Sequence, residues 1–161
     1  TSAQPLDCVG LNYYTRKRIA AAPGPWPHLA ELDGPLPKTQ VGWEIYPEGL
    51  HHFLAMIHSD FAPDLPIYVT ENGMAWNDVP GADGTIQDPE RIAYLDAHLA
   101  QVRQAIDQGL PVKGYYVWSL IDNFEWALGY EPRFGLVHVD YADLKRTPKA
   151  SYHALAAALS G

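Results

Sequence analysis

Cysteine is almost absent from this chain: Cys8 is alone, so no internal disulfide can form. It stands in an apolar run, which predicts a place in the core. A near-thiol-free chain is compatible with a cytoplasmic protein. Basic charge is also scarce, with 11 Lys and Arg against 19 Asp and Glu and a net charge of −8. No cluster of cations offers the footprint that a phosphate backbone requires, which argues against nucleic acid as a partner. No apolar run approaches the roughly 20 residues of a spanning helix, so no membrane segment is expected. No secretory leader, internal repeat or low-complexity tract is visible. The chain begins at Thr1 without Met, almost directly in a strand pattern, which suggests a trimmed or processed chain or a fragment.

What is present points to a folded unit. The 161 residues are 47% hydrophobic, enough for a single domain with a core. Five Trp and ten Tyr stand out. Each combines a flat apolar face with a polar tip, which suits ligands that are part apolar and part hydroxyl. Taken singly, each is core filling first.

Periodicity gives the order of elements. Residues 8–15, "CVGLNYYT", read as a strand with a polar exit, and 66–71 as a second. Residues 112–120, "VKGYYVWSL", read as a third, mostly apolar on both faces. Residues 47–58 carry Leu50, Phe53, Leu54 and Ile57 at helical spacing. Residues 88–109 form the best-marked helix, with Asp88 as N-cap, Pro89 in the first turn, a stripe of Ile92, Leu95, Leu99, Val102 and Ile106, and Gly109 as the stop. A short strand over 135–141 precedes an Ala-rich helix opened by Thr147 and Pro148. Residues 21–40, crowded with Pro and Gly, read as a long surface loop. His51, His52 and His58 lie on the first helix without a carboxylate or thiol partner, so they read as helix surface rather than a metal site.

Strands alternating with helices imply a parallel sheet covered by helices, an α/β fold. Three such units cannot close a barrel. If they are barrel material, they are the last part of a (β/α)8 barrel, a single partial segment over 1–161.

Parallel strands gather chemistry at their carboxyl ends. The first strand ends in Asn12, Tyr13 and Tyr14, and the second in Glu71 and Asn72. The third ends in Trp118 and Ser119, followed by Asp122, Asn123, Glu125 and Trp126. Carboxylates, amides, a phenol and indoles around one cleft suit a sugar. Indoles stack on pyranose C–H faces, and a carboxylate under the anomeric carbon can attack it or stabilise an oxocarbenium ion. The plain alternatives are a solvated strand-end Glu71, a core Tyr14, a sheet-packing Trp118 and a loop charge at Glu125.

At these residues the chain resembles family 1 glycoside hydrolases, the β-glucosidase family. The segment "IYVTENGMAW" resembles their nucleophile segment, and "GLNYYTR" the segment before it. "GYYVWSLIDNFEWALGYEPRFGLVHVDY" is similar to their last strand and sugar-binding loop, and "KRTPKASYHALAAAL" to their closing helix. The pieces keep the family's order along essentially the whole chain.

The resemblance implies that Glu71 is the nucleophile of a retaining β-glycosidase. Tyr14 would hydrogen-bond to it and Asn12 would help orient the site. It implies Trp118 as a platform under the glycone, Glu125 and Trp126 on its distal hydroxyls, and Phe134 at the subsite edge. A carboxylate at Glu125 would repel a phosphate dianion, so an unphosphorylated glycone is expected: glucose first, then fucose or galactose. No metal or organic cofactor is required.

The family's acid/base Glu lies in an Asn-Glu-Pro motif, which this sequence lacks. "GWEIYPEG" holds Glu44 and Glu48, but it resembles the segment leading into the next helix. The expected ligand is a β-glucoside or oligosaccharide. The expected partner is a missing N-terminal half, or a second copy through self-association. A carbohydrate-binding barrel fragment without turnover, and a general interaction domain, are the competing readings.

Overall fold

The computed structural model describes residues 4–160. Its centre is a parallel sheet of β1 (Val9–Asn12), β4 (Ile67–Asn72) and β5 (Val112–Val117), in the order β1-β4-β5. Two antiparallel ribbons flank it: β2 (Arg18–Ala21) with β3 (Leu29–Leu32), and β6 (Val137–Val139) with β7 (Arg146–Pro148). The helices are α1 (Glu48–Met56), α2 (Pro89–Asp107) and α3 (Ala150–Leu159). Among the described residues no barrel closes. β1 and β5 pair only with β4 in this sheet, leaving two open edges.

The core lies on one face of the sheet. Ile67, Val69 and Val112 pack with Leu50 and Leu54 of α1 and with Val102 and Ala105 of α2. Burying such side chains stabilises by roughly 1.5–3 kcal/mol each. The opposite face carries Gly10, Asn12, Thr70 and Tyr116, all exposed. The helices expected over the sheet thus lie on one side of it, with α1 and α2 sharing that face. Cys8 is exposed rather than in the core, because it precedes β1 and joins the open face with Gly10 and Tyr68.

Other expectations shift for local reasons. The loop over 21–40 contains β3, which pairs with β2 in the register Arg18↔Leu32 to Ala21↔Leu29, with the Pro-rich stretch as the turn. The final helix does not open at Thr147. That residue pairs with His138 in the β6–β7 ribbon, and α3 begins at Ala150. Asp88 sits at the N-cap of α2, yet its carboxylate makes no capping bond; Arg91 and Ser151 take it instead. The buried face of α2 is rotated from the expected stripe. Arg91, Tyr94, Leu95, His98, Val102 and Ala105 are inside, while Ile106 is exposed. Gly109 ends this helix at φ +87°, a left-handed turn that favours glycine. His51 bonds Gln108 and His52 is exposed.

Candidate active site

The carboxyl ends of the three strands meet where their registers slip. Asn12 lies opposite Glu71 and Asn72 opposite Val117, with irregularities between Leu11 and Asn12 and between Val69 and Asn72. Along β4 the burial alternates from Ile67 to Thr70 and then changes phase. Strict alternation would send Glu71 to the helix side with Ile67 and Val69. Instead Asn72 is fully buried and Glu71 is half-buried. A bulge at a strand end re-aims a side chain in this way. It explains how a carboxylate can follow an apolar strand without burial among the helices.

Glu71 has a defined partner. The Tyr14 hydroxyl donates to its Oε2 at 2.5 Å. Burial raises the Tyr14 pKa far above the usual phenol value, followed by the bond to Glu71 and the charges of Glu71 and Glu125. Tyr14 therefore stays a donor, and Glu125 lies within electrostatic reach of it. Trp43 and Phe134 flank the Tyr14 ring with centroids at 5.3 and 6.4 Å, and their own rings are 6.1 Å apart. Phe134 is buried.

Asn72 ties β1 to β4 beneath this pair. Its Nδ2 donates to the Tyr13 carbonyl at 2.7 Å and to the Tyr94 hydroxyl at 3.1 Å, while its Oδ1 accepts from Tyr115 at 2.6 Å. Tyr94 in turn donates to the Tyr14 carbonyl at 3.3 Å. A fully satisfied buried amide of this kind rigidifies what it touches. The sequence pattern alone misses this function of Asn72, Tyr94 and Tyr115. It also misses Trp43. The clue to Trp43 was an aromatic beside Glu44 just before a helix, which carries little information without the fold.

The third strand brings Trp118 against the same corner. Its backbone N–H donates to the Asn72 carbonyl at 2.9 Å, and its peptide bond to Ser119 is cis. A Cβ built on Gly73 would lie 1.7 Å from the Trp118 carbonyl oxygen, so only glycine permits this approach. Glu125 is half-buried, and its Oε2 is shielded from solvent without a hydrogen-bond partner among the described residues. Trp126 is 79% exposed with φ +47°. Asn12 reaches the same end, but its Oδ1 accepts from Thr70 at 2.6 Å. Thus Glu71, Tyr14 and Phe134 form one connected group, Trp118 abuts it through the backbone, and the charge of Glu125 acts on Tyr14 without a contact. Asn12 is tied to Thr70, and Trp126 stands in solvent. Among the described residues there is no group of three or more His, Cys, Asp or Glu able to hold a metal ion. No helix there is long and apolar enough to cross a membrane.

The model of glycosyl hydrolase family 1 matches residues 2–159, and the chain belongs to that family of enzymes. Beta-glucosidase A of Thermotoga maritima is 47% identical over 146 residues, covering 91% of this chain and 32% of the relative. A 1,4-beta-D-glucan glucohydrolase of Thermotoga neapolitana is 47% identical over 92% of this chain and 33% of its own length. The solved family 1 β-glucosidase from Thermotoga maritima superposes with a TM-score of 0.94 at 44% identity, over 97% of this chain and 35% of that one. A structure of the Thermotoga maritima β-glucosidase in complex with glucoimidazole gives 0.92. The chain spans about a third of the length of these relatives.

Proposed function

We propose that this chain carries the nucleophile and the glycone subsite of a retaining β-glycosidase acting on unphosphorylated β-glucosides. The observation that carries the proposal is the 2.5 Å bond from Tyr14 to Glu71 at the shared strand ends. Glu71 attacks C1 of the sugar, displaces the aglycone and forms a covalent glycosyl intermediate that water later opens. Tyr14 holds the attacking carboxylate in one orientation by a charge-assisted bond. Trp118 stacks on the glycone, Glu125 and Trp126 take its distal hydroxyls, and Phe134 supports the edge behind Tyr14. Asn12 lines the same end of β1 beside Thr70. The unpaired Glu125 oxygen suits a sugar hydroxyl donor. Arg133 is not free to meet a phosphate: it pairs with Asp122 and the Val139 carbonyl and lies over the Tyr141 ring at 4.3 Å. The likeness to proteins called β-glucosidases favours glucose.

The same reading assigns the chain to the last three strand–helix units of a (β/α)8 barrel. The open face and the free edges of β1 and β5 are where further barrel strands, or a second copy, would pair. Turnover of ordinary glucosides also needs an acid roughly 5–5.5 Å from the nucleophile, and this sequence has no Asn-Glu-Pro motif to supply it. General acid assistance is worth roughly 10²–10⁴-fold. A 2-deoxy-2-fluoroglucoside with a dinitrophenolate leaving group avoids that requirement. Incubation followed by peptide mass spectrometry should place the label on Glu71. Glucose binding without label would replace this reading with that of a sugar-binding fragment, and label elsewhere would take the nucleophile's role from Glu71.

A further inference from the structure

Three carboxylates and three cations meet beneath the loop between β5 and β6. Asp78 accepts both guanidinium nitrogens of Arg91, at 3.1 and 2.7 Å, and the Lys149 ammonium at 2.5 Å. Asp88 pairs with Arg91 and accepts the Ser151 N–H at 2.8 Å and its hydroxyl at 2.6 Å. Asp122 accepts Lys149 at 3.0 Å and Arg133 at 3.2 Å. The side chains of Asp78, Asp88, Asp122, Arg91 and Lys149 are at most 1% exposed, and that of Arg133 is 21% exposed. The formal charges cancel.

Such a cluster is an inefficient way to gain stability, because desolvation offsets most of the Coulombic attraction and well-packed apolar residues often serve as well. What it does fix is geometry, and the geometry here is that of one loop. Asp122 lies near the loop's start and Arg133 near its end. Asp122 also accepts the backbone N–H groups of Gly135 at 2.9 Å and Val139 at 3.2 Å. Arg91 donates to the Arg133 carbonyl at 2.6 Å, linking α2 to the same leg. A Cβ on Gly135 would lie 2.2 Å from the Asp122 nitrogen, so the two legs touch. Between the legs lie Glu125 and Trp126, whose side chains make no hydrogen bond among the described residues.

We infer that Asp122, Arg133 and Lys149 are positioning residues, which set the glycone loop so that Glu125 and Trp126 face the sugar's distal hydroxyls. The inference rests on the role proposed above for those two side chains. It places a recognition determinant in charges that never touch the substrate.

The test uses the 161-residue chain and three variants: Arg133→Gln, Lys149→Met and the conservative Arg133→Lys. Segment-resolved amide exchange should rise at least tenfold within 119–135 and stay within twofold in β1, β4 and β5. Arg133→Lys should restore at least half of the protection. Labelling rates with 2-deoxy-2-fluoroglucosyl fluoride and the corresponding xylosyl fluoride, which lacks the C6 hydroxymethyl group, supply the second readout. The glucosyl reagent should lose at least tenfold relative to the xylosyl one in Arg133→Gln. Exchange that rises equally in loop and strands, or in neither, overturns the inference. So does a loosened loop with an unchanged glucosyl-to-xylosyl ratio. If the unsubstituted chain takes no label, the function proposed for Glu71 fails by itself, and the exchange pattern alone decides the loop's anchoring. If Lys149→Met does not fold, Arg133→Gln still decides it.

Discussion

The two faces of the β1-β4-β5 sheet are made from the same short strands and obey different rules. The face toward α1 and α2 is aliphatic and closed, with Leu50, Leu54, Ile67 and Val69 wholly inaccessible. The other carries Gly10, Thr70 and Tyr116 and leads at its upper end to Glu71. One face is chosen for cohesion, the other for what it meets. Stability and chemistry are thus separable in this chain.

The sharpest way to break that separation is Glu71→Gln. Removing the proposed nucleophile should lower fluoroglucoside labelling by at least about 10³-fold. The unfolding free energy read from urea denaturation should change by no more than about 0.5 kcal/mol, since Gln can keep the Tyr14 bond. A large loss of stability would mean that the carboxylate belongs to the fold as much as to the site.

On the closed face, Leu54→Ala should destabilise by about 3 kcal/mol through lost contacts and a residual cavity, as read by urea denaturation. A loss below about 1 kcal/mol would show that α1 is loosely docked.

Acid should also act on the closed face. His98 is buried and stacked on Tyr94 with ring centroids 3.9 Å apart. Its Nδ1–H donates to the Tyr94 carbonyl at 2.8 Å, and its Nε2 is buried without a partner among the described residues. Burial lowers its pKa from 6.5 to about 4, against the opposing influences of the Tyr94 carbonyl and Glu48. The unfolded chain therefore binds the proton first. The neutral ring's contribution is complete above the unfolded value near 6.5 and is lost as pH falls toward 4. The loss amounts to about 3 kcal/mol. In His98→Phe the fall in stability across that window should shrink by about this amount, read from denaturation midpoints at several pH values.

The smallest effect belongs to the open face. Tyr116→Ser should change the chain's own stability by less than about 0.5 kcal/mol, as surface substitutions do. If the same substitution weakens assembly with added barrel strands or with a second copy, the two faces differ in timing as well as composition.

How far the sequence reached follows the same division. The strands β4 and β5 were legible as apolar runs, and the extent of α2 from Asp88, Pro89 and Gly109 at its ends, although the buried face of α2 is not the aliphatic stripe. The β2–β3 ribbon was not, since its strands are short and solvent-facing and their apolar residues follow no buried stripe. The start of α3 was misplaced because Thr147 and Pro148 look like a helix opening, yet pair with β6. At the site, Glu71 was visible from its place at a strand end. Asn72, Tyr94 and Trp43 act through contacts between distant segments, and spacing along one chain does not encode those contacts.

The lone thiol offers a use that follows from its position. Cys8 stands beside Gly10, Tyr68, Thr70 and Tyr116 around a shallow hollow of about 400 Å³ on the bare side of the sheet. A dye attached there would sit on the surface that any completing strands must approach. Its colour or quenching would report enclosure directly, with no background from a second sulfhydryl.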